Sequence, residues 1–561
     1  MDLIQSHIKT SFWRYEVQST LFANRPSRLA LQSIVQDVAG TKKIYVNVWR
    51  NHAFEPVASL IHPYVAYGCW QAEFQFSDYD DTLMFANHAP ADVELIWLDS
   101  SRYLSNTSFA AWTEWLIARI KALRIATSSS IIVATWLEND AQRIELQTSF
   151  TSMPAVYFAD VGAVCSEAGV NLIDSRSTVM AGTPVSNAAQ PLIARKLACH
   201  WLPAVVFPPV KAVALDLDNT LHIGVLGEDG IQGVQLSQQH RDFQFFLKSL
   251  LQRGIFITLV SRNERPDVET LFNNRDDYPL KWGDFSVTEV SWGEKATAIK
   301  RIADTLRISP DAVLFVDDNP GELASVAAQI PQVHTVFANS DASLTQRAVE
   351  HYPGLWRWKI EDEDTKRVQD LRANAEREKI QVAAFDTVDY FRSLEVSLSY
   401  RYNPVDQLSR LADLCNKTNQ FNLALRRFNQ AELADRLKCV NACVASVHMK
   451  DRLSDSGVIA VLVCERENDQ LIVEELCVSC RALGRQLEDS IIIGAIRNMP
   501  LFRGGSNVSF RVQHGPRNQP ALKWLSLLLA MVEVPEPGCY TLQSELIENF
   551  VLTDGIALIK E

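Results

Sequence analysis

Between residues 42 and 205, short apolar runs ("KKIYVNVW", "VELIWLD", "SSIIVATW", "VNLID") alternate with longer segments such as "AAWTEWLIARIKALR", whose apolar positions recur at helical spacing. Short runs rich in Val, Ile and aromatics read as strands, and strands alternating with helices predict an α/β layer around a parallel sheet. "FPP" at 207–209 punctuates the end of this region. The alternation resumes at "VKAVALDLDNT" and runs to about "VHTVFANS". The charged stretch "WKIEDEDTKRVQDLRANAEREKIQVAAF" then predicts a helical connector, and from about 394 strands and helices mix to the end. The pattern divides the chain into an N-terminal segment (1–41), a first α/β domain (42–205), a doubly wound α/β domain (206–345), a helical connector (346–393) and an α+β domain (394–561).

Size agrees with several domains, because 561 residues are too many for one ordinary core. No apolar run is long enough to cross a bilayer, and the opening "MDLIQSHIKTSFWRYEVQST" lacks the parts of a secretory signal, so the expected compartment is the cytoplasm. Ten scattered cysteines fit that compartment, and the one C-x-x-C, Cys477 to Cys480, has no second pair to close a zinc site. A net charge of −13 argues against nucleic acid as a partner and against attraction to an acidic membrane.

The doubly wound region carries chemistry. Val213-Ala214-Leu215 reads as a buried strand, and Asp216-x-Asp218-x-Thr220 follows it; two carboxylates two residues apart are hard to explain by packing alone. Ser261 follows "GIFITLV", Lys295 opens the helix "EKATAIKRIADTL", and Asp317-Asp318-Asn319 follows "AVLFV". Groups just past the carboxyl ends of neighbouring parallel strands converge on one crevice. Phosphoryl transfer needs this set: a nucleophile (Asp216), an acid and then base (Asp218), a Mg²⁺ shell and positive charge on the phosphate. The candidate metal ligands are Asp216, Asp218, Asp317 and Asp318, and the candidate phosphate ligands Thr220, Ser261 and Lys295. Together the four motifs resemble the haloacid-dehalogenase (HAD) phosphatases. Only some ten residues separate "HIGVLGEDG" from the next helix and about thirty separate Ser261 from Lys295, too few for a cap domain, so an open site is expected.

In the third region, "CVSCRALGRQLEDS" predicts an alternating strand, with Ile472, Leu476, Val478 and Cys480 on one face, passing through a turn into a helix. Arg481, Gly484 and Arg485 resemble the pyrophosphate-binding turn of GNAT acyltransferases, where backbone N–H groups at a helix start hold a pantetheine-bearing cofactor. With "DLDNTL", "VDDNP", "KTNQFNL" (417–423) and "SCRALGR", the chain resembles the FkbH-like family over most of residues 40–510. The resemblance implies an SGNH-hydrolase-like first domain, a HAD-like domain without a large cap and a GNAT-like third domain. It also implies an enzyme that dephosphorylates 1,3-bisphosphoglycerate and loads the glyceryl unit onto an acyl carrier protein in polyketide-type metabolism. His222 stands where that family usually has Trp, and the first domain has no Ser nucleophile after its first strand; Asp174 is followed by "SRS" in place of a catalytic His.

An acyl phosphate gives a thioester with a thiolate, and Cys480, beside Arg481 and close in sequence to Arg485, is the candidate thiol. Two other readings of the chain are a stand-alone phosphatase for a bulky or carrier-bound substrate, which does not need Cys480, and a carrier-docking scaffold.

Overall fold

Three sheets organise the described residues, 2–36, 41–360 and 362–561 of the computed structural model. The first two sheets belong to one unit of the chain and the third to a second unit, with the main division at Ile360.

The first sheet contains β1 (Lys42–Arg50), β2 (Trp70–Tyr79), β3 (Val93–Trp97), β4 (Ser130–Thr135) and β5 (Val156–Asp160), all parallel, in the order β2-β1-β3-β4-β5. β3 and β4 lie inside the sheet and are buried almost throughout, which is why their sequences are nearly unbroken apolar runs. The run "VNLID", expected as a strand, forms only a single bridge from Ile173 to Val185. The cause is local: the Asp174 side chain accepts from the Arg176 N–H and starts the helix Ser175–Ala181. The N-terminal helix Asp2–Leu21 packs on the helix Pro320–Gln329, and its Gln18 donates to the Phe337 carbonyl at 2.7 Å.

The second sheet contains β6 (Ala212–Leu215), β7 (Phe256–Ser261), β8 (Val287–Val290), β9 (Val313–Asp317) and β10 (His334–Phe337), parallel in the order β10-β9-β6-β7-β8. Every residue of β6 is buried, as a central strand requires. The winding reverses direction at β6, so a crevice opens past the carboxyl ends of β6 and β9. Between β6 and β7 lie only a short helical stretch (Leu226–Gly233) and the helix Gln238–Gln252, so no cap domain is inserted there.

In the second unit, β11 (Ser397–Tyr402), β12 (Ala442–Lys450), β13 (Asp455–Glu467), β14 (Gln470–Val478), β15 (Asn507–Val512), β16 (Gly538–Leu542) and β17 (Ala557–Lys560) form a mixed sheet in the order β16-β15-β14-β13-β12-β11-β17. The helix Glu488–Arg497 packs closely over it: a Cβ on Gly494 would collide with the hydroxyl of Tyr400, which donates to the Ser490 carbonyl at 2.7 Å. The expected alternation of β14 is interrupted. Glu474 is an extra residue opposite the Val463–Cys464 step, so Leu471 and Val473 share one core with Leu476 and Val478, and Ile472 does not stay on their face. The charged stretch read as a connector forms the helix Asp362–Ala383, whose Asp370 and Arg377 are buried in this unit. Among the described residues, no helix is long and apolar enough to cross a membrane.

Candidate active site

Asp216 immediately follows β6, and its N–H continues the ladder to the Val316 carbonyl at 2.9 Å. The chain then turns on Asn219, whose φ of 54° is in the left-handed region that Asn tolerates; its side chain accepts from the Gly224 N–H at 3.0 Å. This turn presents Asp218, whose Oδ1 accepts from the Leu226 N–H at 2.9 Å. On the neighbouring strand, Asp317 ends β9, and "DNP" is a helix start: Asn319 accepts from the Gly321 N–H and Pro320 takes the first helical position. The Asn319 N–H in turn donates to Asp317 Oδ1 at 2.8 Å.

Lys295, the first residue of the helix Lys295–Thr305, joins the two strands. Its Nζ donates to Asp216 Oδ1 at 2.7 Å and to Asp317 Oδ2 at 2.6 Å, all three side chains being buried. Burial and the neighbouring Asp317 push the Asp216 carboxyl up to about 8, against the attraction of Lys295. Burial likewise raises Asp317, and burial with Asp317 raises Asp318 to about 6. One ammonium therefore faces three carboxyls that cannot comfortably all ionise beside it. Asp216, Asp317 and Asp318 each offer an oxygen within 4.8 Å of the others, a hard-oxygen set with surplus negative charge that fits Mg²⁺. Asp218, also read from the sequence as a metal ligand, is not a member of this cluster.

The side facing β7 holds groups that sequence reasoning left unassigned. The Asn263 amide donates to Asp218 Oδ2 at 2.7 Å and to Ser261 Oγ at 3.0 Å, tying the two predicted residues together. Its only sequence signal was its place just past a strand. Arg262 turns aside to pair with Glu322 at 2.8 Å. Thr220 is buried with no hydrogen-bond partner for its hydroxyl among the described residues, and Ser261 is buried as well. Lys295 has spent two of its three N–H groups on carboxylates. His222 is wholly buried, with Nε2 3.3 Å from Asp218 Oδ1, close enough for attraction but off the line of a hydrogen bond. Burial alone would raise Asp218; the attraction of the nearby His222 ring and the hydrogen bonds from the Leu226 N–H and the Asn263 amide outweigh that and hold it below the usual carboxylate range.

The second unit does not gather its predicted residues into one site. Cys480 is half-buried in the turn after β14. Arg481 donates to the Ser456 carbonyl at 2.9 Å. Arg485 is directed into a buried ion network, 3.2 Å from Asp370 and 3.5 Å from Asp451, which Arg377 also joins at 3.1 Å and 2.8 Å. The Gly484 N–H donates to the Glu488 carboxylate at 3.1 Å, so the place expected for a pyrophosphate already holds an acid. β15 pairs only with Gln470–Val473 of β14, and beyond that stretch Phe421–Leu423 lies along β14: the Val478 N–H donates to Phe421 and the Leu423 N–H to Leu476. A cavity of about 240 Å³ is lined by Gly484, Arg485, Gln486, Tyr390 and Phe391 among others, and Cys480 is not in its lining.

In the first domain, His52 lies just past β1, buried between Trp97 and Trp136, with Nδ1 3.0 Å from Thr183 Oγ1. Burial, then Arg102 and Arg50, pushes its pKa down to about 3. Asp174, which "SRS" follows in place of a catalytic His, is the helix cap already described.

The second sheet is thus doubly wound, with acidic motifs at the ends of β6 and β9 and no cap domain inserted between β6 and β7. Among solved structures, the chain is similar to the N-terminal part of a Bacteroides fragilis protein containing a phosphatase domain, complexed with Mg: 21% identity over 58% of this chain and 96% of that one, TM-score 0.47. It is also similar to a HAD-family enzyme from Bacteroides thetaiotaomicron, an Asp-to-Ala variant complexed with magnesium and inorganic phosphate: 18% identity over 23% of this chain and 95% of that one, TM-score 0.17. No family model and no curated protein matches the chain.

Proposed function

We propose that the protein is a Mg²⁺-dependent phosphatase of the HAD type that takes 1,3-bisphosphoglycerate and loads its glyceryl unit onto an acyl carrier protein in the cytoplasm. The observation that carries the phosphatase part is the convergence of Asp216, Lys295 and Asp317 within hydrogen-bond distance at the ends of β6 and β9. Lys295 orients the Asp216 carboxylate, and an Asp216 oxygen attacks the phosphorus of the C3 phosphate ester. The P–O bond to the substrate breaks, and the leaving oxygen takes a proton from Asp218. Asp218 is held as a carboxylate in the free protein; the charge of an arriving phosphate raises its proton affinity and arms it as an acid. Asp218 then takes a proton from water, whose oxygen attacks the aspartyl-phosphate, releasing inorganic phosphate and restoring Asp216. Thr220 and Ser261 hydroxyls supply hydrogen bonds to phosphate oxygens. Bound at Asp216, Asp317 and Asp318, Mg²⁺ would neutralise charge on the nucleophile and the phosphoryl group.

For loading, the Cys480 thiolate attacks the C1 carbonyl, the acyl–O bond breaks and phosphate leaves. Exchange of the thioester with the carrier's phosphopantetheine thiol regenerates Cys480. The GNAT-like reading of the second unit, with Arg481, Gly484 and Arg485 near the carrier arm, is supported by the mixed sheet and by the cavity that Gly484 and Arg485 line. The SGNH-like reading of residues 42–205 is supported by the parallel first sheet, and the absence of a Ser nucleophile after β1 supports a non-hydrolytic role for it. A second reading, a stand-alone phosphatase, is favoured by the ion-paired Arg485 and the occupied Gly484 N–H. Intact-mass measurement of an acyl carrier protein incubated with the enzyme, Mg²⁺ and 1,3-bisphosphoglycerate separates the two. A glyceryl adduct on the carrier is expected; phosphate release with an unmodified carrier would favour the stand-alone phosphatase.

A further inference from the structure

His222 is fully buried, and neither ring nitrogen has a hydrogen-bond partner among the described residues. Packing accounts for its volume and not for its polarity. Its ring lies 6.2 Å from that of Tyr278, and Phe or Leu would fill such a place without burying two unpaired nitrogens. Polar atoms left unpaired in the interior are destabilising, so the imidazole is kept for an interaction that the resting arrangement does not complete. Among the described residues, the charged group within ion-pair distance is Asp218, with Nε2 at 3.3 Å from Oδ1.

We propose that His222 is a positioning residue that stabilises the Asp218 carboxylate formed as Asp218 protonates the leaving oxygen. The inference rests on the phosphatase reading above. Two donors already fix the Asp218 carboxyl: the Leu226 N–H on Oδ1 at 2.9 Å and the Asn263 amide on Oδ2 at 2.7 Å. The imidazole beside Oδ1 is wholly buried, while the Asp218 side chain is partly exposed. In the transfer, the O–H bond of Asp218 breaks, its proton goes to the leaving oxygen as that oxygen's bond to phosphorus breaks, and negative charge grows on the carboxyl. A donor held beside that oxygen in a water-poor setting strengthens its interaction as the charge grows, with little reorganisation. The small shift from 3.3 Å into hydrogen-bond alignment is the interaction missing from the resting site.

Such a residue matters where the leaving group needs its proton. An alkyl phosphate such as glycerol 3-phosphate has a poor leaving oxygen; 4-nitrophenyl phosphate leaves without help. The test compares wild type, His222→Leu and His222→Gln on both esters with Mg²⁺, with Asp216→Asn as the blank. The leucine variant is expected to lose on the order of tenfold to a hundredfold in kcat on the alkyl ester. On the nitrophenyl ester it should stay near wild type, with KM little changed on either, and glutamine, which keeps an N–H, should recover part of the loss. Equal losses on the two esters, or no loss on either, would overturn the proposal. Should the leucine variant fail to fold by circular dichroism, His222→Phe, which keeps a ring without an N–H, must show the same selective loss, and an unselective loss there overturns it as well. If the wild type shows no Asp216-dependent release from either ester, the phosphatase reading fails, and this inference with it.

Discussion

Lys295 Nζ lies 2.7 Å from Asp216 Oδ1, so the proposed nucleophile rests against a buried ammonium that also holds Asp317 at 2.6 Å. Removing one partner of a buried ionic cluster leaves the others uncompensated, at a cost of about 3–5 kcal/mol. Lys295→Met should therefore lower stability by about that amount and abolish phosphate release. The loss should deepen as pH rises, because the abandoned carboxyls are tolerable only while protonated. Urea unfolding at pH 5.5 and 8 checks this, and a variant as stable as wild type at both would contradict it.

The raised Asp216 carboxyl links protons to metal. Without Mg²⁺ it keeps its proton at neutral pH, since its pKa stands at about 8. A folded pKa above the unfolded one contributes stability that is fully present below the unfolded value, about 4, and is lost as pH rises through about 8. Metal-free protein should thus lose stability from pH 5 to 8, more steeply than Asp216→Asn. Mg²⁺ needs the ionised carboxylate, so its binding at pH 7 should release about one proton and tighten with pH. Titration calorimetry in buffers of different ionisation heat measures the release; zero release at pH 7 would contradict the assignment.

Arg485 tests the second unit. Its guanidinium is buried against Asp370 and Asp451, so Arg485→Ala should destabilise this unit by about 3–5 kcal/mol. Denaturant unfolding reports the loss. A variant with unchanged stability that fails only in carrier loading would make Arg485 a carrier contact instead.

Cys480 should separate the half-reactions. After brief exposure to 1,3-bisphosphoglycerate, mass spectrometry should find an acyl adduct on the wild type and none on Cys480→Ser, while the variant still hydrolyses a simple phosphate ester. An adduct on Cys477, which is fully buried, or an undiminished adduct in the variant would contradict the role given to Cys480.

What could be read from the sequence was whatever depends on short spacing. Val213-Ala214-Leu215 followed by Asp216, and "AVLFV" followed by Asp317, betray buried parallel strands with acids at their ends, and the sheet places them side by side. Pairings between distant residues were not legible. Nothing near Arg485 announces that Asp370, 115 residues earlier, is its partner, and the sequence neighbourhood of Arg485 suggested a ligand instead. Nor does β14 declare that Glu474 is an extra residue, because a bulge depends on the strand opposite and not on the strand itself. Asn263 belongs with these: its value lies in reaching Asp218, 45 residues away.

The central claim is that Asp216 is the residue that takes the phosphoryl group. The most direct measurement is inorganic phosphate release from a phosphate monoester, with Mg²⁺, by wild type and by Asp216→Asn, whose amide keeps the side chain's shape and loses its nucleophilicity. The variant is expected to be folded, with a rate lower by several orders of magnitude, about 10³ or more. Release by the folded variant at near the wild-type rate would contradict it.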